Sequence, residues 1–522
     1  MMADVTFTFV IDWDSDDDWD ESYEDVSLYV KSANWRLGMS KPNALMGSET
    51  RLTMVLNNTD QRFSPENTSG PYYGEILPQR KVRVQSTFNG TTRTMYVGWI
   101  DTIEPEGGDG RTVAIRAVGA KQFFQDQTIR LPLLQDLRSD EVIEHILIKL
   151  QTPPALSGQH WVLGLAGASE LGETTYLADL SPSYSLDTGN TTFPYIADNW
   201  DKDFHGNQYV GEDWGAGFKG FDAIKDVVKA ERGRFFFDRD GKAIFWNRAR
   251  LQTSITLDAT FDNEHTNADY HYGEDIINDV TVKVYPRAID GSDTVLWELE
   301  EEIELRKSSK TTRDKTIRAN FNEADSGVEV AALSAYIDTI TFTGDVDYDV
   351  EFGSTSAKIT LTNLDNVKNT VSAIKIKGKK VRTYDTIDAQ IIDGASRAAY
   401  GWRECVIDSK LQADLNLAES VADYEIYRRK TPYGAFHSVE VQGVDDTRKS
   451  QIVTRTIGDR IRVIDDQLSH DGEYFIIGEA HTWGLREGYK VRWTLERADM
   501  RKFWVLGETG YSELGETTYL GL

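Results

Sequence analysis

The sequence predicts a mainly β protein with a few helices, an α+β chain of several domains. Segments in which apolar and polar residues alternate dominate its 522 residues, and this period-two pattern is typical of strands with one buried face. At roughly 150 residues per domain, the length suits three or four domains. The clearest strands are predicted at residues 5–11, 50–56, 81–85, 94–100, 112–118, 279–285 and 488–496.

Three segments instead carry apolar residues at helical spacing, and we predict helices at residues 140–150, 221–232 and 415–429. Ser139 is placed to cap the first helix, and Gly233 to end the second in the left-handed conformation. Residues 158–220 are rich in Gly, Ser, Thr, Asn and Asp. They predict a long irregular insertion of the kind usually tied to binding or assembly.

Composition and charge exclude several classes of protein. The 57 Lys and Arg against 85 Asp and Glu give a net charge of −28, which argues against gripping nucleic acid through a basic surface. DNA could pass such a protein without specific binding, although net charge equally serves solubility. The single cysteine, Cys405, excludes an intrachain disulfide and a cysteine-based zinc cluster. With no secretion leader and no run of 18 apolar residues, we expect folding in the cytosol without stable membrane insertion.

A nearly literal internal repeat is the strongest signal in the sequence. Residues 161–177 recur as residues 504–520, and only three of the 17 positions differ. A shared fold does not require such identity, so we expect the same surface to be presented twice to one kind of partner. Exposed Trp and Tyr are favoured interface anchors, although an ordinary packed turn also accounts for the Trp residues. The predicted partner-binding residues are Trp161, Leu163, Glu170, Leu171, Tyr176, Leu177, Trp504, Leu506, Glu513, Leu514, Tyr519 and Leu520.

A second, weaker repeat relates strands near the two ends of the chain. Residues 80–84, 96–98 and 112–117 parallel residues 459–463, 475–478 and 490–495. Each set has a strand after a polar turn, a strand marked by glycine and a hairpin return, which predicts two similar small β-barrels flanking a mixed middle region. The predicted divisions are an N-terminal barrel (1–135), a helix–hairpin domain with the 158–220 insertion (136–255), an α+β domain (256–430), a second barrel (431–503) and a C-terminal docking tail (504–522).

No motif predicts catalysis, a cofactor or a metal site. An acidic run near the N-terminus lacks the glycine and the closing glutamate of a calcium loop, so a solvated loop is expected. That run comprises Asp12, Asp14, Asp16, Asp17, Asp18, Asp20 and Glu21. His145, His265 and His271 show no zinc spacing. No carboxylate pair stands out for glycan hydrolysis, and we expect Cys405 to be partly buried instead of nucleophilic.

Several motifs resemble the tail hub, or minor tail, proteins of siphophages and related prophages. That family's first barrel pairs a Trp-x-x-Gly stretch with a loop of the form LxNxDxRFSPE, a proline before a strand and then a GWI strand. This chain has matching residues at 35–38, 56–66, 78 and 98–100, in the same order. Residues 222–248 resemble the helix and hairpin of the family's middle domain.

The resemblance implies a hub-like homotrimer in which two similar barrels per chain alternate around an axis. Such a ring has approximate sixfold symmetry and adapts a sixfold tube to a threefold tip. It implies a place at the virion tail tip, with a distal tail protein or tail tube ring, tail fibres or receptor-binding proteins, and the tape measure protein as partners. Two alternatives stay open: a receptor- or carbohydrate-binding fibre or tip protein and, with less support, a tail-associated peptidoglycan hydrolase.

Overall fold

A computed structural model describes residues 5–15, 19, 21–108, 110–125, 127–129, 131, 134, 136–150, 184–193, 218–253, 256–306, 315–322 and 330–498. Every strand and helix predicted above is present at its predicted place, with ends shifted by a few residues. The mainly β, multidomain class is therefore confirmed. Within the described ranges, no helix is both long and apolar enough to cross a membrane.

The first part of the chain folds almost entirely as strands. It contains β1 (Thr6–Asp12), a 3-10 helix (Ser27–Tyr29), β2 (Val30–Gly38), β3 (Arg51–Asn57), β4 (Lys81–Phe88), β5 (Thr91–Pro105) and β6 (Thr112–Val118). The next part mixes helices with short strands. It contains α1 (Lys121–Phe124), β7 (Thr128–Ile129), β8 (Leu137–Arg138), α2 (Ser139–Lys149), β9 (Tyr184–Leu186), β10 (Thr192–Phe193), β11 (Phe218–Lys219), α3 (Gly220–Glu231), β12 (Arg234–Phe237), β13 (Ala243–Trp246) and α4 (Arg250–Thr253).

The middle region contains β14 (Ala259–Asp262), β15 (Asn267–Tyr272), β16 (Asp279–Val284), β17 (Arg287–Ile289), β18 (Thr294–Glu298), β19 (Ile303–Leu305), β20 (Lys315–Asn320), β21 (Ala332–Phe342), β22 (Val346–Phe352), β23 (Ser356–Asn363), β24 (Asn369–Thr383), β25 (Ile387–Ile392), α5 (Gly394–Tyr400) and β26 (Glu404–Asp408). The last region contains α6 (Leu415–Arg429), β27 (Gly434–Gln442), α7 (Asp446–Thr454), β28 (Arg460–Asp465), β29 (His470–Gly484) and β30 (Gly488–Arg497).

One 12-stranded sheet joins the two ends of the chain. Its order is β1-β4-β5-β6-β3-β2-β29-β30-β27-β15, and β28 pairs with both β29 and β14. Alternate residues of a strand face opposite sides, so Val82 and Val84 of β4 are buried while their neighbours are not. The buried side chains of early and late strands form one continuous core, which runs from Phe7 to Leu495.

Helix α2 differs from its prediction at the first turn. Ser139 lies inside the helix and does not cap it, because its buried hydroxyl donates to Glu231 Oε2 at 2.8 Å. The helix start is closed instead by Glu141, whose carboxylate accepts the backbone N–H of Arg138 at 2.8 Å. The apolar stripe predicted for this helix, Ile143, Ile146, Leu147 and Leu150, is fully buried against α3 and the β12–β13 hairpin.

Helix α3 ends one residue earlier than Gly233 suggested. Arg232 adopts the left-handed conformation, with φ of 59°. Gly233 follows and donates its N–H to the Val228 carbonyl. A glycine is needed there for another reason, since a Cβ would lie 2.5 Å from the Trp246 carbonyl oxygen.

Several smaller sheets occupy the middle of the chain. β16 lies between β25 and β26 and packs against α6. β24 pairs with β17, β18, β19 and β21, while β23 lies between β20 and β22. Helix α6 has its predicted bounds, and the Asp414 carboxylate caps it by accepting the Asn416 N–H at 2.8 Å.

The predicted insertion is not irregular throughout its described part. β9 pairs with β13, β10 with β8 and β11 with β7. These pairs anchor segments of residues 158–220 to the α2–α3 region. The domain boundaries themselves stay a prediction.

Candidate functional site

The 12-stranded sheet consists of two half-sheets with the same strand order. The N-terminal half-sheet is β1–β6, and the C-terminal half-sheet is β14, β15 and β27–β30, taken in chain order. The neighbours β4·β5, β5·β6, β6·β3 and β3·β2 correspond to β28·β29, β29·β30, β30·β27 and β27·β15, all antiparallel. Only the outermost pair differs, because β1 is antiparallel to β4 whereas β14 is parallel to β28. The weaker sequence repeat is confirmed as a repeat of strand order.

Details of the two long strands fix the correspondence residue by residue. β5 and β29 are each 15 residues long. The backbone N–H of Ile100 donates to the Arg80 carbonyl at 2.8 Å, and that of Ile476 donates to the Asp459 carbonyl at 3.0 Å. Each acceptor directly precedes the neighbouring strand, and each isoleucine is followed by a β-bulge. Ile100 therefore corresponds to Ile476.

The register taken from sequence is wrong, because it matched Gly98 with Gly478. The structure places Gly478 where the N-terminal half-sheet has Thr102. The two glycines answer different local needs. A Cβ on Gly98 would lie 2.2 Å from the phenol oxygen of Tyr96, whereas a Cβ on Gly478 would meet the backbone of Met39, the residue that follows β2.

The half-sheets join where β2 lies against β29. Seven residue pairs run from Ser32 opposite Gly484 to Gly38 opposite Gly478. β29 reaches both neighbours on this side because its first part pairs with β28 and its last part with β2. A Cβ on Gly478 would lie 2.0 Å from the Met39 carbonyl oxygen, so the close approach of the two strands requires glycine.

Aromatic stacking fills the junction. The rings of Trp35 and His481 are parallel to within 13°, with centroids 4.9 Å apart. His481 in turn is parallel to Tyr489, with centroids 6.0 Å apart. Trp35 and His481 are 2% and 1% exposed, so water is excluded from the contact.

A buried charge pair lies beside this stack. Arg239, from the β12–β13 turn, donates to Glu479 with its Nε at 3.1 Å and its Nη2 at 2.5 Å. His481 Nε2 lies 2.9 Å from the same carboxylate. Burial alone would raise the pKa of Glu479, but the charges and hydrogen bonds of Arg239 and His481 together outweigh burial and lower that pKa to about 2. Burial lowers the pKa of His481, which favours its neutral form.

A second buried charge cluster ties other elements to β30. Glu496 accepts from Arg234 at 2.5 Å, from Arg428 at 3.0 Å and from the Asn43 N–H at 3.0 Å. Burial opposes ionisation, but the two guanidinium groups lower the pKa of Glu496 to about 2. The loop after β2, strand β12 and helix α6 are thereby fixed to the C-terminal half-sheet.

Among the strands that the structure describes, the two surfaces that form the junction occur a second time as open edges. β15 corresponds to β2 and is the last strand of the sheet. The end of β5 corresponds to the part of β29 that carries β2, and Thr102 to Pro105 pair only with β6 among the described strands. Tyr272, at the end of β15, is 69% exposed. Each chain thus contains one complete junction, between β2 and β29, and two separate strand edges, on β15 and on the end of β5, that correspond to the two sides of that junction.

The predicted partner-binding residues belong to the two copies of the near-literal repeat. All twelve, in residues 161–177 and 504–520, lie outside the described residues. Asp16, Asp17, Asp18 and Asp20 of the acidic run also lie outside them, whereas Asp12 is buried and Asp14 is exposed. The solvated-loop prediction is therefore wrong for Asp12, whose carboxylate accepts the Ser15 N–H at 2.6 Å.

The other candidates have structural contacts. Cys405 is half-buried in β26, as expected, and burial raises the pKa of its thiol. His145 is half-buried on α2, and burial lowers its pKa. His265 lies 2.9 Å from the Asp465 carboxylate. His271, by contrast, stacks on His437 beside Asp269, an arrangement that no linear spacing indicated.

No family model and no curated protein matches the sequence. Among solved structures, the chain is similar to the 43 kDa tail protein of prophage MuSo2 from Shewanella oneidensis, with 12% identity, 95% of this chain and 99% of that chain covered, and a TM-score of 0.45. It is similar to a tail protein from Neisseria meningitidis, with 9% identity, 94% and 96% covered, and a TM-score of 0.46. The prophage tail protein gp18 from Listeria monocytogenes has 7% identity, 94% of each chain covered and a TM-score of 0.38.

Proposed function

We propose that this protein is a structural component of a bacteriophage tail, a homotrimeric hub that closes the distal end of the tail tube. The motifs at residues 35–38, 56–66 and 98–100, which resemble those of siphophage hub proteins, supply the tail assignment. The duplicated half-sheet, with one junction made and its counterpart edges open, is the observation that carries the ring. The role is structural, without turnover chemistry.

The proposed ring follows from the asymmetry of the contact between the two half-sheets. β2, at the edge of one half-sheet, meets the long strand of the other, so the two sides of the contact differ. Contacts of this heterologous type build rings when the rotation closes. The open β15 of one chain would pair with the end of β5 in the next, and three chains would supply six half-sheets for a sixfold tube.

The register of the internal junction specifies the contacts of this seam. Because Leu37 faces Glu479, the corresponding Tyr272 would face Ile103 of the partner subunit. His271 would likewise face Glu104 of the partner subunit. Covering exposed Tyr272 removes apolar surface from water, and pairing two open edges satisfies their backbone N–H and C=O groups.

The near-literal repeat supplies the proposed docking sites. Residues 161–177 and 504–520 would bind a distal tail protein or tube ring, tail fibres or receptor-binding proteins, and the tape measure protein, at the tail tip. The net charge of −28 would let DNA pass without specific binding.

Sedimentation velocity of the full chain tests the ring. We expect a species of three times 59.0 kDa, and we expect Tyr272→Asp to shift it towards monomer because a charge would be buried in the seam. Tyr348→Asp, on the exposed face of β22, is the matched control and leaves the trimer intact. A wild-type monomer at every concentration would refute the ring.

Truncation tests the docking sites separately. Removing residues 504–522 should weaken binding to the neighbouring tail proteins in a pull-down while the oligomeric state stays the same. Unchanged binding by the truncated chain would contradict the docking role of the repeat.

A further inference from the structure

A cluster of two histidines and an aspartate lies on the outer face of the open edge. Asp269 and His271 come from β15, and His437 comes from β27. His437 is the extra residue of a β-bulge, since Asp269 pairs with Ser438 and the next residue, Tyr270, pairs with Phe436. A bulge of this kind re-aims a side chain, and here the two imidazole rings lie parallel, with centroids 4.1 Å apart.

The donor atoms of the cluster are close enough to share one ion once one of the two stacked rings turns, so that both nitrogen lone pairs point at the ion. One ligand atom from each of the three residues lies within 4.8 Å of the other two. His271 Nε2 is 3.0 Å from Asp269 Oδ1, and its Nδ1 is 2.5 Å from Glu274 Oε2. A carboxylate behind the second ring nitrogen is the usual support of a metal-binding imidazole, because it fixes the ring and raises its basicity.

We infer that Asp269, His271 and His437 bind a divalent ion of the zinc class. Neutral imidazole and carboxylate suit zinc and its neighbours, whereas calcium and magnesium prefer oxygen ligands alone. Three protein ligands leave a fourth position open in tetrahedral geometry. The side chain of His271 is 37% exposed, so an ion has access from solvent.

The position of the cluster gives the ion a role in assembly, and this step rests on the proposed function. In the proposed seam, His271 faces Glu104 of the partner subunit. The carboxylate of Glu104 forms an exposed ion pair with Arg116 of its own chain, and it would exchange that pair for the fourth position on the ion. The same register brings Asp269 opposite Glu106 of the partner subunit, and these like charges repel. A bound dication would offset that repulsion and strengthen ring closure.

Calorimetric titration of chelator-treated full-length protein with Zn²⁺ tests the site. We expect one ion per chain, and we expect His271→Gln and His437→Gln each to weaken binding by at least about tenfold. His265→Gln is the matched control, because His265 lies beside a single carboxylate, and it should bind as the wild type does. Circular dichroism checks that each variant is folded.

The alternative is a cluster without any metal, in which His271 is held between the carboxylates of Asp269 and Glu274. Absent binding, or equal binding by the wild type and His437→Gln, would overturn the metal site. Sedimentation with Zn²⁺ and with chelator separates the two proposals. A tighter trimer with Zn²⁺ supports both, a trimer that binds no Zn²⁺ overturns only the metal site, and Zn²⁺ binding by a strict monomer overturns only the ring and its seam.

Discussion

Trp35 and His481 stack face to face although about 450 positions of sequence separate them, and both are buried. They belong to different half-sheets, so the core of the large sheet requires both ends of the chain. Contacts of such long sequence separation slow folding, because the loop they close is long. Because the junction joins the two half-sheets, single substitutions there should affect both of them.

Gly478→Ala should lower the free energy of unfolding by about 1–3 kcal/mol, the usual cost of overpacking a tight site. Its Cβ would lie 2.0 Å from the Met39 carbonyl oxygen, and backbone cannot move aside as a side chain can. Gly291→Ala is the control, because no atom lies within 4 Å of the Cβ it would add. Urea unfolding of the two variants should separate them clearly, and equal midpoints would contradict the close approach of β2 and β29.

Arg239→Met should cost about 3–5 kcal/mol, because removing one partner leaves the buried Glu479 carboxylate without its main cation. The exposed pair of Arg462 and Asp471 provides the comparison, with side chains 42% and 48% accessible. Arg462→Met should cost no more than about 1 kcal/mol. Chemical unfolding at neutral pH measures both, and a loss in Arg239→Met as small as that in Arg462→Met would contradict a strong pair.

Stability should fall as the solution is acidified. The pKa of Glu479 and that of Glu496 are about 2 in the folded protein against an ordinary 4.5. Unfolded chains therefore bind more protons between these values, so the stabilisation present above pH 4.5 is lost as pH falls towards 2. Burial also lowers the pKa of His481 from its ordinary 6.5. Acidification below about pH 6.5 therefore lowers the stability of the folded protein through this residue as well.

Thermal midpoints from about pH 7 to about pH 3 test this dependence at constant protein concentration. Glu479→Gln should melt lower at neutral pH but lose less on acidification, because one of the responsible carboxylates is gone. Glu301→Gln, an exposed substitution, should follow the wild-type curve. Identical slopes for all three proteins would show that Glu479 does not contribute.

Local patterns predicted the elements, whereas contacts between distant strands escaped prediction. Alternation located β4 and β30, and apolar spacing located α6, because both patterns depend on neighbours in sequence. The function of Ser139 was missed since its partner, Glu231, lies on another helix. His271 and His437 were missed as a pair for the same reason, and the bulge in β27 that aligns them has no sequence signature.

Glu106→Lys should strengthen the proposed trimer. In the seam, Glu106 of the partner subunit faces Asp269, and like charges opposite each other cost about 0.2–1 kcal/mol per pair. Reversing one charge converts repulsion into attraction, so the dissociation midpoint should fall by up to about tenfold in protein concentration. The gain should shrink at high salt, because exposed charges are screened.

Glu301→Lys makes the same change of charge on an exposed residue outside the seam and controls for the lower net charge of the protein. Sedimentation over a range of concentrations, at low and at high salt, measures the difference between the two variants. If Glu106→Lys and Glu301→Lys shift the midpoint equally, net charge alone accounts for the effect. A shift that is specific to Glu106→Lys and sensitive to salt requires Glu106 to lie beside a negative group of the neighbouring chain, which is what pairing of β15 with β5 produces.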